Sequence, residues 1–218
     1  MAKPWQRWLA LLSPGARGLL SLLTVAYLAA LIGQATDAYD LSAWLALSAP
    51  AFWGGRVWQV VTNALLPAAI MDFLFNGLMI AWLGGWLERV WSRGELWLYC
   101  GICAVGAGLA KVLLTPASSV LMVGTTGVVM GLLAGVARLF GHERTMLVGV
   151  WETSVRTATL AVAAVSLLLM APMAGLVNAA VMLSGGLTGW VYLSLRWKAI
   201  QSQRSQAVTS ERIGRLEL

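Results

Sequence analysis

Apolar runs separated by short clusters of Arg, Pro, Gly and Ser follow one another along the chain as far as Arg196. A helix that crosses a bilayer needs roughly 20 predominantly apolar residues. Six runs approach that length: about Gly18–Gly33, Leu65–Leu87, Leu96–Leu114, Val120–Phe140, Thr159–Gly175 and Val177–Leu195. The pattern predicts an all-α, polytopic membrane protein with six transmembrane helices, the last two joined by a tight hairpin around Pro172–Gly175. Three regions follow: residues 1–17 as an interfacial N-terminal segment, 18–195 as the membrane domain, and 196–218 as a basic tail. In the first, Trp5, Trp8, Leu9 and Leu12 share one face of a short helix suited to headgroup depth. In the last, polar residues without apolar periodicity predict a flexible extension.

Composition narrows the class. Of 218 residues, 59% are hydrophobic and 11% charged, with mean hydropathy +0.77, whereas a soluble domain carries about 25% charged residues. The apolar excess excludes a disordered chain, and two Cys exclude a disulfide scaffold. The net charge of +6 calls for no nucleic acid, because Lys and Arg are retained on the cytoplasmic side of membranes. With the N-terminus inside, every Lys and Arg except Arg56 and Lys111 falls in an inner segment. That asymmetry puts both termini in the cytoplasm, and the shortness of the chain suggests a bacterial inner membrane. The lipid bilayer is then the first partner, and neither metal nor cofactor is expected. Cys100-Gly101-Ile102-Cys103 has redox spacing, but within a membrane helix near the cytoplasmic end it reads as packing.

The polar residues inside these runs are the candidates for function. Asp72 and Asn76 lie four apart, on one face of the second span; Lys111 is near the outer end of the third, and Thr125 and Thr126 begin the fourth. At 1.5 Å per helical residue, Asp72, Lys111, Thr126 and Met182 fall roughly 5–11 Å below the outer surface. One cavity open to the outside is expected to hold them. A charge at the bilayer centre costs about 2.5–3.5 kcal/mol on insertion scales, so Asp72 and Lys111 are expected to pair or to face water. Gly127, Gly131 and Gly135 recur every four residues, and Gly185 with Gly189 repeats the spacing. Small residues so spaced let helix backbones approach, which predicts face-to-face packing of the fourth and sixth spans.

Taken in order, these stretches resemble the rhomboid family of intramembrane serine proteases, over about Val57–Leu195. Trp58-Gln59-Val60-Val61-Thr62 is similar to the family's W-R-x-x-T loop. Phe75-Asn76, followed by Leu83-Gly84-Gly85-Trp86-Leu87-Glu88, is similar to its F-N and G-x-x-x-E stretch. Gly124-Thr125-Thr126-Gly127 occupies the place of G-x-S-G, and Gly185 with Gly189 that of the glycines in H-x-x-G-x-x-x-G. The resemblance implies a six-helix rhomboid-like bundle in which Thr126 stands at the catalytic Ser position and Met182 at the catalytic His position. Asp72 takes the place of the oxyanion-side His and Pro67 that of a second His upstream, while Asn76 alone of that polar set is kept.

A hydroxyl is a weak nucleophile until a base takes its proton, and the usual base is His. Met182 accepts no proton, and the one His, His142, belongs to an inner loop. The expectation is therefore a pseudoprotease that keeps the fold and has lost the chemistry. Inactive rhomboid relatives such as the Derlins and iRhoms imply its role: binding a transmembrane helix of a partner or client in a cavity of Asp72, Asn76, Lys111, Gly124, Thr125, Thr126 and Met182. Two alternatives stand beside it. One is a threonine-type endopeptidase using Thr126 with Lys111 as base, and the other a small-solute pathway lined by Asp72, Asn76 and Lys111.

Overall fold

The computed structural model describes residues 13–36, 41–147 and 151–216. Helix α1 spans Pro14–Thr36 and starts on Pro, whose missing N–H costs nothing in a first turn. Three short helices follow, α2 (Leu41–Leu45), α3 (Ala49–Trp53) and α4 (Gln59–Thr62), the last continuing into a 3-10 turn at Asn63–Leu65. Next come α5 (Ile70–Leu87), α6 (Arg93–Leu114) and α7 (Thr126–Leu139). An antiparallel ribbon of β1 (Arg144–Leu147) and β2 (Trp151–Ser154) leads into α8 (Val155–Leu216). Four helices are long and apolar enough to cross a membrane: Pro14–Gly33, Ile70–Leu87, Arg93–Leu114 and Gly175–Arg196. Thr126–Leu139 and Val155–Leu168 are shorter apolar helices. Where hydropathy alone predicts six spans, four of the six segments reach spanning length.

Several boundaries move for identifiable reasons. The second apolar run becomes helical at Ile70, not Leu65, because Pro67 has no N–H to donate and restrains its neighbour. The fourth becomes helical at Thr126, not Val120, after Gly124 takes φ +136°, a value closed to most residues. The fifth and sixth runs form one α8 broken at Gly175, at φ 75° and ψ 165°. Its two arms both border one groove with α7, through Thr159, Leu160 and Ala163 on the first and Ala180, Leu183 and Leu187 on the second. The ribbon departs from the all-α expectation. The tail read as flexible is helical in its backbone to Leu216; residues 196–216 contain no Pro and a single Gly214 to stop it. Trp5, Trp8, Leu9 and Leu12 lie outside the described residues.

The core is built around α6. Its Leu96, Tyr99, Cys100, Cys103 and Ala104 pack with Ile80, Leu83 and Leu87 of α5, with Val129, Leu132 and Val136 of α7, and with Leu193 of α8. Small residues make the approach possible. A Cβ on Gly185 of α8 would strike the backbone carbonyl of Gly127, one on Gly131 would meet Cys103, and one on Gly189 the Tyr99 hydroxyl. The Tyr99 hydroxyl donates to the Gly131 carbonyl at 2.7 Å, giving its polar end the partner that burial demands. The outer surface is apolar: Val25, Leu28 and Ile32 of α1, Leu74 and Leu78 of α5, and Leu98, Leu109 and Leu113 of α6 are exposed. Such a belt belongs against lipid, where helices satisfy their own backbone groups.

Caps fix one end of the bundle. The Glu88 carboxylate, just past α5, accepts from the N–H of Gly15 at 2.8 Å and of Ala16 at 3.1 Å, closing the start of α1. Ser92 and Glu95 form a reciprocal capping box at the start of α6.

Candidate functional site

The segment from α2 to the 3-10 turn is an apolar platform at the other end. Trp44 stacks on Trp58 with centroids 6.4 Å apart, and the Arg56 guanidinium lies 5.5 Å from the Trp44 ring. Gln59, fully buried, holds the platform together: its Nε2 donates to the carbonyls of Ala43 at 3.2 Å and Trp44 at 3.4 Å. The Thr62 hydroxyl donates to the Leu45 carbonyl at 2.9 Å. Platform and α7 are then stitched by backbone bonds, Leu47 N–H to Met122 at 3.0 Å and Met122 N–H to Leu47 at 2.7 Å. The Thr125 hydroxyl donates to the Ala64 carbonyl at 2.7 Å, and the Gly124 N–H to Asn63 at 3.3 Å. These bonds decide where the first residue of α7, Thr126, presents its hydroxyl.

Thr126 meets α5 there. Its Oγ1 donates to Asp72 Oδ1 at 3.4 Å, and Asn76 Nδ2 donates to Asp72 Oδ1 at 2.6 Å and to Thr126 Oγ1 at 3.5 Å. The other carboxylate oxygen, Asp72 Oδ2, accepts the Ala68 N–H at 2.9 Å, just before α5 begins. Asp72 therefore stands in the first turn of α5 and beside the first residue of α7. Negative charge is favoured near helix N-termini, and the donors that hold this carboxylate are the Ala68 N–H, the Asn76 amide and the Thr126 hydroxyl. Asn76 is fully buried, and its Oδ1 has no hydrogen-bond partner.

Of the predicted site residues, Asp72, Asn76, Gly124, Thr125 and Thr126 come together. Lys111 does not join them. It is 5% exposed, on the turn of α6 beside Val112, which packs on Leu47, Ala49 and Val60 of the platform. Among the described residues it forms no ion pair, so the expected Asp72–Lys111 bridge is not made. Depth along the helices suggested that pair, but depth alone does not fix which way a side chain points around its helix. Met182 packs half-buried against the main core, and His142 is exposed beside the ribbon. The grooves along α6, between α7 and α8, and beside α1 all leave out Asp72, Asn76, Thr126 and Met182. Cys100 and Cys103 are buried free thiols in the helix interface. Among the described residues no group of three His, Cys, Asp or Glu side chains is placed to hold a metal.

Sequence reasoning missed Tyr99 and the stitching role of Gln59 and Thr125. A tyrosine inside an apolar run and a glutamine in a tryptophan-rich loop were the available signals, since each polar end needs a buried partner.

The chain belongs to a family described as eukaryotic integral membrane protein (DUF1751), whose model matches residues 17–207. No curated protein matches the sequence. The family description confirms an integral membrane protein and overturns the bacterial inner membrane that chain length suggested, since its members are described as eukaryotic. Chain length carries no information about the kind of cell, which is why that inference failed.

Proposed function

We propose, from this family membership and from the residue resemblance to rhomboids, that the protein is a rhomboid-like pseudoprotease that binds the transmembrane segment of a partner without cutting it. The observation that carries the reading is the Asp72 carboxylate at the starts of α5 and α7. Peptide hydrolysis through a tetrahedral intermediate needs donors aimed at a developing oxyanion. Here the Asn76 amide and the Thr126 hydroxyl already serve the half-buried Asp72 carboxylate, a like charge beside any developing oxyanion. The Thr126 hydroxyl, moreover, has a carboxylate and an amide as neighbours and no imidazole. Lys111, the alternative base, is buried against the platform and makes no hydrogen bond to Thr126 among the described residues.

Binding has a surface to use. Ile70, Met71, Leu74 and Leu78 of α5 are exposed and apolar, next to the Asp72 cluster at the helix start. The test is association of a single-span helical peptide, fluorescently labelled, with the purified protein in liposomes. Saturable association with an intact peptide is expected, weakened several-fold by Leu78→Trp. No association at any protein-to-lipid ratio contradicts the reading; peptide fragments that vanish with Thr126→Val point to a protease instead.

A further inference from the structure

The end of the bundle away from Asp72 carries Arg17, Arg89, Arg93, Arg138, Arg144, Arg156 and Arg196, and four carboxylates there are already engaged. Glu88 caps α1, Glu143 pairs with Arg89 at 2.9 Å, Glu152 pairs with Arg144 at 3.7 Å, and Glu95 holds Arg196 while capping α6. Arg138, in the last turn of α7, has no carboxylate partner among the described residues. Its guanidinium lies over Trp190 with Cζ 4.6 Å from the ring centroid. That contact and the helix dipole account for its position, yet neither consumes the N–H donors on the guanidinium edge.

Those donors border a cavity. About 540 Å³ in volume, it is lined by Val90, Trp91, Arg138, Leu139, Phe140, Leu193 and Arg196, between the turn after α5, the end of α7 and the stretch of α8 from Leu193 to Arg196. One rim offers two guanidinium groups, Arg138 without a carboxylate partner among the described residues and Arg196 held by Glu95 and Tyr192. The other wall is apolar, with Val90 and Leu139 exposed and Leu193 buried behind them. Tryptophan at Trp91 and Trp190 suits headgroup depth. Cations beside an apolar wall at that depth fit one molecule better than a free ion: a phosphate carrying acyl chains.

We propose that this cavity binds a phospholipid with a net negative headgroup. The phosphate lies on Arg138, with the charge of Arg196 nearby, and an acyl chain runs along Leu139 and Val90. Arginine recognises phosphate through charge-assisted bonds in fixed geometry, and nothing in the lining selects a zwitterionic head.

The test is native mass spectrometry of the full chain, exchanged into detergent and titrated separately with phosphatidylglycerol and phosphatidylcholine. Wild type is expected to retain phosphatidylglycerol preferentially, and Arg138→Gln to weaken that retention about tenfold, the cost of one charge-assisted bond. Arg93→Gln, which removes an exposed charge from the same end without touching the cavity, is expected to keep it. The thermal unfolding midpoint of each variant verifies that the fold is intact. Equal retention of the two lipids overturns the proposal, as does equal loss in both variants, which would reduce the effect to overall charge. Displacement of phosphatidylglycerol by millimolar inorganic phosphate overturns it too, since that outcome describes an ion site without use of the acyl chain.

Discussion

Gln59 stands where the rhomboid pattern carries Arg, and its burial shows how one residue can hold an otherwise loose loop. Its amide ties the end of α2 to α4, and an apolar replacement would remove both bonds and take the Gln59 acceptor from the buried Ser48 N–H, while the Ala43 and Trp44 carbonyls keep Arg56 and Trp58 as donors. Gln59→Leu is therefore expected to lower stability by about 1–3 kcal/mol, the range for leaving buried polar groups unpaired, read as a drop in the unfolding midpoint in detergent. An unchanged midpoint would mean the Ser48 N–H finds another acceptor and the lost Gln59 bonds add nothing. Asp72 and Asn76 were legible as a pair from their spacing of four, because helix geometry puts such residues on one face. Their meeting with Thr126 was legible from estimated depth and from resemblance. Lys111 was misjudged by the same estimate, since depth fixes height along a helix and leaves direction around it open. The burial of Lys111 beneath the platform was not readable from the sequence, because the platform's fold depends on long-range bonds such as Leu47 to Met122.

Helices α6, α7 and α8 are held at close range by what their glycines lack. The predictions here are paired: Gly185→Ala puts a methyl group against the Gly127 carbonyl, whereas Gly101→Ala meets nothing within 4 Å. Gly185→Ala is expected to cost about 1–3 kcal/mol as an overpacked contact, and Gly101→Ala to be neutral or slightly stabilising, since Ala is the better helix former. Thermal unfolding of the two side by side separates them, and equal midpoints would contradict the close approach. Hydropathy located all the long helices because each needs a continuous apolar run. It overran at Leu65 and Val120, where Pro67 and Gly124 end helical geometry locally although the apolar run goes on. The ribbon escaped notice because its strands, Arg144–Leu147 and Trp151–Ser154, are only four residues each.

At the scale of the molecule, two ends differ in chemistry. One gathers most of the arginines, several paired with glutamates, and the cavity lined by Arg138; the other gathers the tryptophan platform and the Asp72 cluster, with an apolar belt between. Charge bias along the sequence anticipated this division, since each turn alternates between ends. It could not say what kind of cell holds the membrane, which the family description supplied. The central claim is that the Asp72 side chain takes the donors a developing oxyanion would need, in a fold that binds without cutting. The most direct measurement is cleavage of a helix-destabilised, membrane-spanning reporter by the purified protein in liposomes, wild type beside Thr126→Val, with an active rhomboid protease as control. The account predicts an intact reporter with both forms while the control cuts it. Cleavage by wild type that disappears in Thr126→Val would contradict it.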